Sequence, residues 1–205
     1  MLNLEQNLQS QAKYIKEKFP SVKIADSIEF ENLIIYVKKA EIIEFLKFLR
    51  DDKDLSFKML LDLFGIDMLG VRDPRFEIAY NLLSFKLNNR ITVKVALDDG
   101  ENIDSAISVF STANWFEREA FDMFGIKFSN HPDLRRILTD YDFEGYPLRK
   151  DFPLTGYKQV KYDAEAQKVV YEPVKLRQEY RDFDFEMPWK GTQYQIKNQP
   201  DNKNN

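Results

Sequence analysis

The chain has 205 residues, 43% of them hydrophobic, which is enough for one domain of ordinary size plus an extension. Thirty basic against thirty-four acidic residues leave a net charge of -4, so the field of the whole chain repels nucleic acid and anionic membrane alike. With no cysteine and a single histidine, the composition excludes disulfides, thiol nucleophiles, Cys-ligated zinc, ordinary iron–sulfur ligation and multi-histidine metal sites. A carboxylate site of the magnesium or calcium kind would need clustered acids, and none is spaced like a known loop. No apolar run approaches the roughly 18 residues of a membrane-spanning helix. The opening Met1-Leu2-Asn3-Leu4-Glu5-Gln6 has neither the basic nor the apolar stretch of a targeting peptide. A cytosol-like compartment is expected, with membrane contact only through a partner.

In chain order, scattered apolar positions from Leu4 to Phe19, ended by Pro20, predict a short helix. The β-rich run Phe30 to Val37 predicts a strand, and Ile42, Ile43, Phe45, Leu46, Phe48 and Leu49 place a helix over Ala40 to Leu49. Phe57 to Phe64 reads as another short helix ended by Gly65, after which Ile66 to Leu69 starts a strand. Phe76 to Phe85 and Arg90 to Leu97 are the firmest strands, joined by Lys86-Leu87-Asn88-Asn89 as a hairpin turn. Asp98-Asp99-Gly100 closes the second, and helices are predicted over Ile103 to Phe110 and from Trp115. This order argues for an α+β fold, a mostly antiparallel sheet with helices packed on one face, followed by a long irregular C-terminal arm.

Beyond Gly125 the periodicity fades and Pro132, Pro147, Pro153, Pro173 and Pro188 interrupt the sequence, yet aromatics stay dense from Tyr141 to Trp189. A loop of that length is uncommon in a self-contained domain, and a disordered one would be poor in aromatics. The expected division is therefore an α+β domain over 1–128, a partner-binding arm over 129–189 and a polar, disordered tail over 190–205.

Trp115 to Phe124 has both helix ends written into it, with Asn114 as cap, Glu117 as the reciprocal half of a capping box and Gly125 as left-handed terminator. At about 100° per residue, Phe116, Ala120, Phe121, Met123 and Phe124 form an apolar arc that also contains Glu117, while Arg118, Glu119 and Asp122 fall opposite. Glu117 is expected to be buried and charged, held either by the Asn114 amide or by Arg135 or Arg136. A catalytic role finds no matching acid, base or electrophile nearby in sequence. Arg118 and Asp122, four apart, read as a solvated helix pair, and His131 before Pro132 reads as a turn residue.

Glu117-Arg118-Glu119, then Asp122-Met123-Phe124, then His131, then Arg135-Arg136-Ile137 resembles the signature of the 30 kDa subunit family of respiratory complex I, the NADH:quinone oxidoreductase. The stretches His131 to Tyr141 and Phe143 to Leu154, the latter with Arg149-Lys150-Asp151, resemble its mitochondrial and alphaproteobacterial type. The likeness runs upstream to Arg75-Phe76-Glu77 and downstream to Pro188-Trp189, covering about Phe57 to Trp189. Tyr146 departs from it, standing where histidine is usual, which suits packing rather than chemistry.

The resemblance implies a structural subunit of the hydrophilic arm of the proton-pumping enzyme, binding no flavin, cluster or quinone itself. FMN and iron–sulfur clusters would sit on other subunits. The implied partners are other complex I subunits, above all the large quinone-site subunit. The implied location is peripheral, on the cytoplasmic face of a bacterial inner membrane or the matrix face of a mitochondrial one. The family signature residues Glu117, Arg118, Glu119, Asp122, His131, Arg135, Arg136, Arg149, Lys150 and Asp151 are the candidate interface. Arg135, Arg136 and Arg149 are the expected anchors, because guanidinium forks suit desolvated contacts at interfaces.

Two rivals can be weighed on the residues themselves. A nucleic-acid module would use Arg135, Arg136, Arg149, Lys150, Lys158 and Lys161 among the aromatics, but Asp140, Asp142, Glu144 and Asp151 cancel much of that charge. A carboxylate hydrolase would pair Glu117 with Glu119, and two positions apart on a helix point in different directions.

Overall fold

The computed structural model describes residues 2–25, 32–176 and 178. Helix α1 (Leu2–Lys18) buries Leu8 and Ile15, two turns apart on one face, and helix α2 (Ile42–Asp51) buries Ile42, Phe45, Leu46 and Leu49 at the spacing of a single helical stripe. The short strand β1 (Lys23–Ile24) pairs antiparallel with β2 (Leu33–Tyr36). Then come β3 (Met59–Asp67), β4 (Phe76–Ser84) and β5 (Asn89–Leu97), which complete a five-stranded sheet of order β1-β2-β5-β4-β3. Only the β2–β5 pair in this sheet is parallel.

Register decides which face is the core. Leu33 and Ile35 stand beside Ile91 and Val93, which stand opposite Leu82 and Tyr80, and Leu63 stands opposite Tyr80. These side chains share one face because residues alternate along a strand, and all are buried with the helices packed on them. The reverse face is polar. There Thr92 donates to Asn81 at 2.7 Å and receives from Asn32 at 2.7 Å, and the buried Glu77 pairs with Arg72 and Lys94. The expected α+β sheet with helices on one face is what the chain adopts.

Two expected elements take a different form. Residues 57–64 are not helical: Met59 onward is the edge strand β3, whose pairing with β4 slips between Leu60 and Asp62. That bulge puts Leu60 and Leu63 on the same buried face, so a spacing of three, which mimics a helix, arises in a strand. The helix expected over Ile103 to Phe110 is a short strand, β6 (Asn102–Asp104), followed by one 3-10 turn at Ala106–Ser108. Helix α3 (Ala113–Phe124) leads into β7 (Lys127–Ser129), which pairs parallel with β6.

Two compact units make up the protein, Met1–Gly156 and Tyr157–Asn205, so the first unit extends well past the expected boundary at 128. The reason is that residues 130–156 are tied to the domain by side chains of the sheet and of α3, as described below. The second unit is not wholly irregular either. It contains an antiparallel hairpin of β8 (Lys158–Asp163) and β9 (Lys168–Pro173). The tail expected over 190–205 lies outside the described residues.

Candidate functional site

Helix α3 ends where Gly125 turns left-handed at φ 77° and returns its amide to the Phe121 carbonyl at 2.8 Å. The absence of a side chain there is also spatial, since a Cβ would sit 2.6 Å from the Tyr146 ring. The other end differs from the sequence reading. The helix starts at Ala113 behind Thr112, Asn114 lies inside it, and Glu117 does not reach back to form a capping box.

Glu117 is fully buried and points across to the preceding turn instead. Its Oε1 accepts the Ala106 amide at 2.7 Å and its Oε2 accepts the Ser105 hydroxyl at 2.6 Å. Among the described residues no arginine pairs with it. His131 lies beside it, with Nε2 3.9 Å from Oε2. Burial raises the carboxyl to about 7, against the opposing pull of the Ser105 hydroxyl and the Ala106 amide. The expectation of a simply charged residue is corrected accordingly, because near neutrality this group is shared between its two forms.

The opposite side of α3 is also covered, contrary to the sequence reading. Arg118 and Asp122 are buried and do not form a solvated pair. The segment 135–139 lies along them, and they take hold of its backbone. Arg118 Nε and Nη2 donate to the carbonyls of Arg135 and Arg136 at 3.0 and 3.2 Å. Asp122 Oδ2 accepts the three consecutive amides of Ile137, Leu138 and Thr139 at 2.9, 2.7 and 2.9 Å. Asp122 Oδ1 accepts the Thr139 hydroxyl at 2.5 Å and the Arg136 guanidinium at 2.8 Å. Burial alone would raise Asp122, but the Thr139 hydroxyl and the three amides outweigh it and hold the carboxyl down at about 2. A stretch with no strand or helix partner thereby has its polar backbone satisfied by two side chains.

The remaining signature residues fall into three groups. Arg136 also donates to the Gly145 carbonyl at 3.0 Å and lies over the rings of Phe143 and Tyr146. Arg149 donates to the Phe124 carbonyl at 2.7 Å, forks onto Asp99 at 3.0 Å for both bonds, and sits between the Phe76 and Tyr146 rings. Both guanidinium groups are thus committed within the protein, whereas Arg135 is exposed and pairs with Asp133 at 2.6 Å. Glu119 and Lys150 are exposed. Asp151 closes the third group, a fork from Arg75 that grips Asp67 and Asp151 bidentately, with the Lys150 amide donating to Asp67 at 2.8 Å. The Arg75 guanidinium, then the Lys150 and Leu69 amides, hold Asp67 well below the usual carboxylate range despite its burial.

Sequence reasoning named Arg75 only within the family likeness and Asp99 only within a turn, and passed over Asp67 and Ser105. Ser105 stands 12 residues from Glu117, and Asp67 stands 83 from Lys150, so no local signal marks them. Among the described residues no group of three or more histidine, aspartate or glutamate side chains is placed to hold a metal. No described helix is long and apolar enough to cross a membrane. The paired-glutamate reading fails on geometry, with Glu117 buried and Glu119 exposed.

A family model described as the 30 Kd subunit of respiratory-chain NADH dehydrogenase matches residues 35–158. The chain belongs to this family. It is 50% identical to the C subunit of the NADH-quinone oxidoreductase of Sinorhizobium medicae, over 93% of this chain and 94% of that protein. The C subunit of Paramagnetospirillum magneticum is 50% identical over 92% of this chain and 94% of that one. Among solved structures, the trypsin-resistant fragment (1–134) of Nqo5 matches with a TM-score of 0.51 at 29% identity, covering 62% of this chain and 98% of the fragment. A polypeptide of the membrane-bound sulfane sulfur reductase, an archaeal respiratory membrane complex, matches with a TM-score of 0.61 at 24% identity over 71% of this chain and 85% of that one, which speaks for the fold alone. In this member of the 30 Kd family, the bracket built by Arg118 and Asp122 falls inside the matched span.

Proposed function

We propose that the chain is a subunit of a proton-pumping NADH:quinone oxidoreductase that holds no cofactor itself and works by docking onto the large quinone-site subunit of that complex. Family membership supports the complex, and one structural observation supports the docking mode. In the β8–β9 hairpin, Val160 and Tyr162 stand on one face with Val169 directly opposite Tyr162, and all three are exposed. The other face carries Gln159 and Lys161, both donating to Glu172. A lone two-stranded hairpin is marginal in water, so an apolar face of this kind is stabilised by a neighbouring surface. Within the first unit Leu138, Tyr141, Leu148 and Leu154 are exposed in the same manner, Leu154 at 81%. Single exposed apolar residues are ordinary, but a series of them along 138–154 supports an interface there.

The subunit is set at the face of the membrane where NADH is oxidised, cytoplasmic in a bacterium, and reaches the membrane through its partners. Purification of the tagged protein from its native membrane under mild detergent tests this. NADH:quinone oxidoreductase activity, flavin and the large quinone-site subunit are expected to co-elute with it. Elution of the tagged protein alone, or with unrelated proteins, overturns the reading.

A further inference from the structure

The pocket around Glu117 has a composition that holding a helix does not require. Four elements face it: β4 supplies the buried Tyr80, whose hydroxyl has no hydrogen-bond partner among the described residues. The turn after β6 supplies the Ser105 hydroxyl and the Ala106 amide. The segment after β7 supplies His131, and α3 supplies the Asn114 carbonyl beside Glu117 itself. Asp104, at the end of β6, is the other acid whose charge is felt at Tyr80. Arg118 and Asp122, on the same helix, are turned to segment 135–139 and bonded there.

Hydrogen bonding fixes where a proton can go. Glu117 Oε1 receives a backbone amide, a donor that cannot reverse, so Oε1 stays an acceptor. Oε2 receives the Ser105 hydroxyl, whose oxygen already accepts the Ile107 amide at 3.3 Å and keeps a second lone pair, so the hydroxyl can rotate and accept from Oε2 as well. The imidazole is constrained in the same way. His131 Nδ1 receives the Asp133 amide at 3.0 Å, so the ring hydrogen is on Nε2, which donates to the Asn114 carbonyl at 3.2 Å while lying 3.9 Å from Oε2. A second ring hydrogen would have to sit on Nδ1, against an amide hydrogen.

We propose that Glu117 is an internal proton switch: a proton taken up at Oε2 turns the Ser105 hydroxyl from donor to acceptor, removes the carboxylate charge beside His131, and so weakens the tether that fixes the start of the segment running over α3. In the ionised form the Nε2–H group is attracted by the carboxylate and by the Asn114 carbonyl together, and in the protonated form by the carbonyl alone. No bond other than O–H is made or broken, and the proton comes from solvent. The burial that pushes the carboxyl up to about 7 puts the exchange in the range where cells work. The switch belongs to this polypeptide and does not depend on which partner it docks on.

The sequence offers its own reporter, because His131 is the only histidine. Untagged full-length protein labelled with 15N-histidine is titrated while long-range proton–nitrogen correlations are recorded. Both ring nitrogen signals are expected to move with the charge on Glu117, at a midpoint of about 7. Ser105→Ala, which deletes the donor to Oε2, should move that midpoint upward by about one pH unit. Glu117→Gln should abolish it. An inflection near 7 that survives Glu117→Gln, no inflection there, or a midpoint unmoved in Ser105→Ala each overturns the proposal. Should the Gln variant not fold, the Ser105→Ala midpoint still decides it.

Discussion

Asp122 and Thr139, seventeen residues apart, are joined twice, the Thr139 amide donating to Oδ2 at 2.9 Å and its hydroxyl to Oδ1 at 2.5 Å. With the amides of Ile137 and Leu138 and the Arg136 Nη1, one carboxylate terminates five donors.

Asp122→Asn keeps the shape but removes the charge and one acceptor oxygen. It should cost the full-length protein about 2–4 kcal/mol, because Arg136 and three amides lose a charge-assisted partner. Chemical denaturation checks this, with an unchanged midpoint counting against the bracket. The sign in pH is set by a depressed carboxyl: its contribution is present above the unfolded value near 3.8 and is lost as pH falls through about 2.

Glu117 gives the opposite sign. Its folded carboxyl is raised from 4.5 to about 7, so its contribution is fully present below about 4.5 and is lost as pH rises through about 7. The stability difference between wild type and Glu117→Gln should therefore vary with pH across that window by on the order of 3 kcal/mol, the wild type losing ground as pH rises. Thermal unfolding of both proteins in steps between pH 5 and pH 8 measures it. A difference that is flat with pH would show that the carboxyl is not raised.

Gly65 in β3 is a contact glycine. A Cβ there would meet Phe124 Cδ2 at 2.8 Å and Ile126 Cδ1 at 3.1 Å, so Gly65→Ala must push the end of α3 off the sheet. A loss of about 1–3 kcal/mol is expected from overpacking. If calorimetry finds no loss, the close approach of α3 to the sheet edge is relaxed more easily than these distances imply.

Tyr162→Asp places a charge on the apolar face of the β8–β9 hairpin while leaving the first unit untouched. The isolated protein should keep its unfolding midpoint, whereas the amount of assembled NADH:quinone oxidoreductase should fall several-fold on native gels. Equal assembly with a lowered midpoint would reverse the assignment of that face.

Much of the fold was legible because Phe76, Ile78, Tyr80 and Leu82, then Ile91, Val93, Val95 and Leu97, recur at every second position of their strands, and because the Gly125 terminator requires a left-handed backbone. The β3 strand was not, because its bulge replaces alternation with a spacing of three. The β8–β9 hairpin was hidden by a different cause: its apolar residues alternate with lysines and acids among prolines, and they face solvent, so no core demand marks them. At the site, the burial of Glu117 could be read from the helical arc. Its partners could not, because Ser105 and Ala106 meet it only through the return of the backbone from β6. The polar side of α3 looked solvated for a sound local reason, and only the later segment laid upon it makes Arg118 and Asp122 interior residues.

The grip of α3 on residues 135–139 is entirely on main-chain atoms for Arg118, and on three amides in a row for Asp122. Every residue type except proline offers those atoms. Anchorage and recognition are thereby largely separated: the helix specifies where this stretch of backbone runs, reads side chains only at Arg136 and Thr139, and is indifferent to what the other positions display. Arg135 and Leu138, both exposed, can then be altered to suit a changing neighbour without loosening the mount that presents them. A surface mounted in this way can drift in sequence at its outward positions while its placement stays constant, which is the freedom an assembly of co-evolving subunits requires.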